Sequence, residues 1–144
     1  MMSQHWTSLA RACACVAVAF LLTVGVPASA RAQVAEPWVA PERPSHRANP
    51  VLATTDAVEQ GHRIFKRDCE LCHGSKGKGD GQMSYSMPVK PANLSSAKVQ
   101  SQSDGALFWK IVQGRGMMPS TEGKISDDER WAVIDYIRTL ATKR

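Results

Sequence analysis

Cys69, Cys72 and His73 stand in the run Cys69-Glu70-Leu71-Cys72-His73, whose spacing is the most chemically specific feature of the chain. Two cysteines three residues apart on a helical turn present both thiols on one face. That separation lets each form a thioether with a vinyl group of a single haem. The histidine that follows directly then aims its imidazole at the iron as the proximal ligand. A bare C-x-x-C also occurs in redox disulfides and in half of a zinc site. Zinc would need two further cysteine or histidine ligands at finger-like spacing, yet beyond residue 32 the only other histidines are His46 and His62. A thioredoxin-like disulfide would need a βαβ setting, which the flanking sequence lacks. Haem attachment is therefore the expected chemistry.

A six-coordinate haem needs a second axial ligand. Residues 114–119 read Gly-Arg-Gly-Met-Met-Pro, a glycine-flanked loop whose backbone can approach a porphyrin closely and whose proline stiffens the turn beyond it. Met118, next to Pro119, is the expected ligand, and Met117 is its competitor. Met83 and Met87 also lie in a loop, Met87 before Pro88; a loop methionine that does not bind iron is packing material. His62 would sit on the short helix that leads into Cys69, so a surface role is expected for it.

Three helices must position these groups. The first is expected to start at Asp56, capped by that side chain with Glu59 reaching back, and to run through Ile64 and Phe65 into Cys69. The second opens at Ser103 or Asp104, carries Leu107, Phe108, Ile111 and Val112, and stops at Gly114. The third has a capping box in Ser126 and Glu129, with Asp127 and Asp128 in the first turn and Arg138, Lys143 and Arg144 towards its end. Its apolar stripe is Val133, Tyr136, Ile137 and Leu140, at helical spacing. Asp80, Asp127 and Asp128 read as turn or cap residues rather than acid–base groups. Residues 74–102 are rich in Gly, Pro, Ser and Lys with no strand-like alternation. An all-α domain with loops this long implies something large in its middle.

The rest of the chain sets the context. Its 144 residues, 43% hydrophobic and 6% aromatic, suit one small domain, and exclude a multidomain enzyme and wholesale disorder. A core this small calls for a staple such as a cofactor. Residues 1–32 hold Arg11 and Arg31 and no acid, followed from Ala12 to Val26 by an apolar run that ends at Pro27, Ala28-Ser29-Ala30 and Ala30-Arg31-Ala32. The run is shorter than the roughly 20 residues of a membrane span and has the length of a signal h-region. Cleavage after Ala30 or Ala32 is expected, with an N-terminal anchor as the alternative; cleavage removes Cys13 and Cys15 and places the protein in the periplasm. Residues 33–53 contain Pro37, Pro41, Pro44 and Pro50 and read as a linker, which leaves 54–144 as the ordered domain. The surface lacks a basic cluster interleaved with aromatics, which argues against nucleic acid as a partner.

Residues 56–144 resemble the single-haem class I c-type cytochromes. DAVEQGHRIFKRDCELCHG, then GKGDG, PANL, LFWKIVQGRGMMP and DDERWAVIDYIRTL follow that family's order. The resemblance implies a small cytochrome c fold around one covalent haem c, with first and last helices crossing through Gly61, Phe65, Val133 and Tyr136. Gly61 costs its helix about 1 kcal/mol relative to Ala, a cost that close helix contact would explain. The resemblance also implies a carbonyl from Pro88 or Pro91 that orients the proximal imidazole, and either a haem-lining or a core role for Trp109 and Trp131. The later segments are similar to monohaem subunits of quinol-oxidising complexes such as alternative complex III, some of which are anchored to membranes.

With His73 and Met118 both bound, the iron has no vacant position, so the expected function is electron transfer and not catalysis. The expected partners are a donor dehydrogenase or quinol-oxidising complex and an acceptor oxidase or cytochrome. The alternatives are a haem-bearing subunit docked in a larger membrane oxidoreductase, or a peroxidase or gas-binding haem protein. The thioether edge of the haem is expected to be exposed, with Lys76, Lys78 and Arg115 steering an acidic partner.

Overall fold

The computed structural model describes residues 37–142, so the expected signal sequence at 1–32 and the basic pair Lys143 and Arg144 expected towards the end of the third helix lie outside the described residues. Six helices follow in order: α1 (Glu42–Ser45), α2 (Thr55–Asp68), α3 (Glu70–His73), α4 (Ala97–Gln100), α5 (Asp104–Gln113) and α6 (Asp127–Thr139), with a 3-10 turn at Gln82–Ser86 between α3 and α4. No strand forms among the described residues; Arg115 and Met118 make an isolated bridge. The all-α plan is the one expected. No helix among the described residues is long and apolar enough to cross a membrane.

Local capping sets the three long helices. Thr54 caps α2, its hydroxyl accepting from Ala57 N at 3.2 Å, so the helix starts one residue before the expected cap. Asp56 instead sits in the first turn, where the helix dipole favours an acid, and Glu59 pairs with Arg63 at 3.0 Å. Ser103 caps α5 through Ala106 N, and Gly114 ends it at φ +65°. The capping box of α6 is complete. Ser126 Oγ accepts from Glu129 N at 3.2 Å, while Glu129 Oε2 accepts from Ser126 N at 2.7 Å.

The core forms where α2 and α6 cross. A Cβ on Gly61 would fall 1.9 Å from the Ala132 carbonyl oxygen, so only glycine permits this approach. Phe65 and Val133 are fully buried beside the crossing. Tyr136 stands at its edge, 5.1 Å from the Phe65 ring and stacked at 4.6 Å on exposed His62. Ile64, Val99, Leu107, Phe108, Trp131, Ile134 and Ile137 complete the apolar cluster.

The described part of the expected linker, residues 37–53, is a strap bound to α5 and α6 and not a free tether. A Cβ on Gly105 would lie 2.2 Å from Pro44 O, so the strap rests on the α5 backbone itself. Ser103 Oγ donates to Ser45 O at 2.6 Å, and Asn49 Nδ2 donates to Asp135 Oδ1 at 2.7 Å. Arg47 pairs with Asp127 at 3.1 Å and holds its guanidinium 4.4 Å above the Phe108 ring. The prolines do suppress regular structure beyond α1, but the Ser45 carbonyl and the polar side chains of Arg47 and Asn49 still bond to the domain.

Candidate haem site

The Cys69–His73 motif is built by a break in a helix. Cys69 N still donates to Phe65 O at 2.8 Å, but its φ of −119° ends α2, and α3 begins at the next residue. Cys69 O then accepts from Cys72 N at 3.1 Å and from His73 N at 2.9 Å, closing the turn that carries all three groups. Both thiols are free and partly buried. Burial, reinforced by Asp68 and Cys72, pushes the Cys69 thiol up to about 12. Such a thiol is not the activated thiolate of a redox pair. Nor do three or more His, Cys, Asp or Glu side chains converge as a metal cage among the described residues.

His73 is oriented by one backbone contact. Its Nδ1 lies 3.1 Å from Ala92 O, and since a carbonyl only accepts, Nδ1 carries the proton and Nε2 keeps its lone pair. Burial lowers the His73 pKa, against a smaller opposing effect of that bond, which favours the neutral ring that a metal requires. The orienting carbonyl is thus that of Ala92, not of Pro88 or Pro91. Pro91 O is turned instead onto Gly79, where a Cβ would come within 2.3 Å of it.

The loop after the motif holds this arrangement. Gly79 N donates to His73 O at 2.8 Å, Gly81 N to Cys72 O at 3.1 Å, and Leu94 N to Gly77 O at 2.6 Å. Gly74, Gly77 and Gly79 all have positive φ, which glycine adopts without strain. Asp80 fills the turn beside Gly74, the structural role expected of it. The loop thereby fixes residues 91–94, and with them the Ala92 carbonyl, beneath the imidazole.

Met118 lies in a tight turn: Arg115 N donates to Met118 O at 2.9 Å and Met118 N to Arg115 O at 3.0 Å, with Gly116 at φ +59°. Met118 is partly buried, whereas Met117 at the tip is 58% exposed and Met83 is 40% exposed. A ligating sulfur must leave solvent, which favours Met118 over both. Met87 is also partly buried, and burial does not separate it from Met118. Trp131 is fully buried and stacked 4.2 Å from Phe108, a core residue, while Trp109 is covered by Trp38 of the strap at 6.3 Å. Lys76, Lys78 and Arg115 are exposed, and His46 lies on the surface 3.9 Å from Glu42.

Sequence reasoning missed Ala92 and Arg130, the latter buried at the start of α6 and bonded to Thr121 just beyond the methionine loop. The one available signal for Arg130 was its place next to the apolar run Trp131-Ala132-Val133-Ile134. Two unpaired thiols on one helical turn, a neutral imidazole with a free Nε2 and a thioether on a fixed turn together match the donor set of a covalent haem.

Residues 56–137 match the family described as cytochrome c oxidase, cbb3-type, subunit III. The chain is 29% identical over 83 residues to cytochrome c6 of Leptolyngbya boryana, covering 58% of this chain and 92% of that one. It is 32% identical over 82 residues to the cbb3-type oxidase subunit FixP of Bradyrhizobium diazoefficiens, covering 56% of this chain but 27% of FixP. Among solved structures, a chain of the Kuenenia stuttgartiensis reducing HAO-like protein complex aligns with a TM-score of 0.59 at 29% identity, over 65% of this chain and 47% of that one.

Proposed function

The chain belongs to the c-type cytochrome family of cbb3-type oxidase subunit III, and on that premise we propose that it is an exported one-electron carrier with His73 and Met118 as the axial iron ligands. The family places it among electron-transfer proteins whose cofactor is covalently bound haem c, and the single C-x-x-C-H run provides for one such group. Cys69 and Cys72 form the thioethers. Bound haem supplies a redox couple that exchanges single electrons with little change of geometry when both axial positions are filled.

The observation that carries this reading is the His73 Nδ1 contact with Ala92 O at 3.1 Å, beside two unpaired thiols. It sets the tautomer and orients the ring, so the imidazole presents Nε2 in one direction. Met118 supplies a neutral thioether, which favours the ferrous state and a positive potential. The protein acts on the periplasmic side, taking electrons from a dehydrogenase or quinol-oxidising complex and passing them to an oxidase or a second cytochrome. Carbon monoxide binding to the reduced protein tests this reading. Exclusion of the gas supports two filled axial positions, and rapid binding at neutral pH refutes them in favour of a gas-binding or peroxidase-like haem.

A second reading rests on the FixP and HAO-like complex relatives, of which this chain spans only 27% and 47%. In it the same carrier is a resident subunit of a larger oxidoreductase. Co-purification with a membrane complex supports residence, and recovery as a free monomer from the periplasmic fraction supports the mobile carrier.

A further inference from the structure

We infer that Arg130 is a positioning residue for the sixth iron ligand, acting on the exit of the Met118 loop; the inference rests on the assignment of Met118 above. Arg130 is 5% exposed. Its Nε donates to Thr121 Oγ1 at 2.9 Å, its Nη2 to Thr121 O at 2.5 Å and its Nη1 to Asp127 Oδ1 at 2.6 Å. Thr121 passes the restraint on. Its hydroxyl donates to Ile111 O at 2.9 Å and its N–H to Val112 O at 3.3 Å, while Ser120 Oγ donates to Val112 O at 2.6 Å. The two residues after Pro119 are thus clamped between the last turn of α5 and the first turn of α6.

The entry to the loop is fixed as well. Gly114 N donates to Lys110 O at 2.9 Å, and a Cβ on Gly114 would fall 2.5 Å from Met118 O. Four residues and a proline therefore bridge two anchored points, and the reach of Met118 is set by where those points lie. The guanidinium joins the exit to α6 through two atoms of Thr121. Burying a charge for core stability alone would be a poor choice, since an apolar side chain of similar volume commonly does as well. A planar fork that holds one residue at two atoms is something lysine cannot reproduce. Without it Thr121 loosens, Met118 leaves the iron more often, and external ligands compete in proportion to that open fraction.

The test uses oxidised, haem-loaded full chain and two readouts: the far-red charge-transfer band of ferric iron bonded to sulfur, and equilibrium cyanide binding. Arg130→Lys and Thr121→Val are expected to weaken the band and to tighten apparent cyanide binding about tenfold. Thr121→Ser, which keeps the hydroxyl, restores wild-type behaviour. Val99→Ala, a core change on α4, lowers stability but moves neither readout. Where Arg130→Lys yields no holoprotein, Thr121→Val decides. A band at full strength with cyanide affinity within about twofold of wild type in that variant overturns the inference. Met118→Ala is measured in parallel: a band that survives it refutes the ligand assignment itself, an outcome distinct from failure of the clamp.

Discussion

Gly61 and Ala132 meet backbone to backbone, a Cβ on the glycine falling 1.9 Å from the alanine carbonyl oxygen. Gly61→Ala gains about 1 kcal/mol of helix propensity, but the added methyl must separate α2 from α6 through a contact that has no side chain to yield. Overpacking of this kind costs about 3 kcal/mol or more, so the net expectation is a fall in Tm of about 8–16 °C. Thermal melts of the haem-loaded protein check it, with Gln60→Ala, on the exposed neighbour, left near wild type. Equal melting of the two variants would mean that the helices can part at little cost.

Haem should be covalent and held by Cys69 and Cys72. Acid–acetone extraction is expected to leave the colour on the polypeptide, and the intact mass to exceed that of the apo-chain by one haem. Cys69→Ala should lose most holoprotein, whereas Cys13→Ala should leave the exported product unchanged. Extraction of the colour into the solvent would defeat the assignment.

Met118→Ala should abolish the far-red band of the oxidised protein, admit carbon monoxide to the reduced iron and lower the potential. Met117→Ala, Met83→Ala and Met87→Ala should each retain the band. Its loss in Met117→Ala alone would move the ligand by one residue without changing the carrier role, and its loss in Met87→Ala alone would move it to the other loop.

Asp135 gives a pH dependence of defined sign. Its carboxylate is buried, with Oδ1 bonded to Asn49 and Oδ2 without a partner. Burial, reinforced by Asp104, raises its pKa in the folded state, above an unfolded value near 3.9. The stabilisation from a raised carboxylate pKa is full below the unfolded value and is lost as pH rises through the folded one. Asp135→Asn keeps an oxygen for Asn49 and removes the charge. Its stability relative to wild type should therefore improve between about pH 4 and pH 7. Denaturant titrations at both pH values measure this, and a difference independent of pH contradicts it.

Electron exchange with an acidic partner should slow as salt rises, because the screening length falls from about 10 Å at 0.1 M to about 3 Å at 1 M. Lys76, Lys78 and Arg115, all exposed and close in sequence to the haem motifs, are the charges expected to steer it. Reversal of all three should flatten the salt profile. A profile unaltered by reversal would reduce these side chains to solubilising groups.

What was legible in the sequence is what depends on neighbours within a few residues. The Cys69–His73 turn closes over four residues, and the box of Ser126 and Glu129 spans three, so composition and spacing suffice for both. Gly61 was legible for a related reason: a glycine that weakens its own helix points to a partner without naming it. Tertiary structure decided which atoms complete these units. His73 is oriented from 19 residues away, and Ala92 received that role over Pro88 and Pro91 because Gly79 and Gly77 pin the later loop in register. The strap at 37–53 has the composition of a free linker and is held all the same, because its prolines limit regular structure to the four residues of α1 without preventing a carbonyl and a side chain from bonding across 58 and 86 residues of chain. Gly105 was the one local trace of that contact, and in the first turn of a helix a glycine is otherwise unremarked. Arg130 shows the same limit. Next to three acids it reads as a solvated charge, and only the fold, by laying Thr121 against the start of α6, buries it as the bond between two segments.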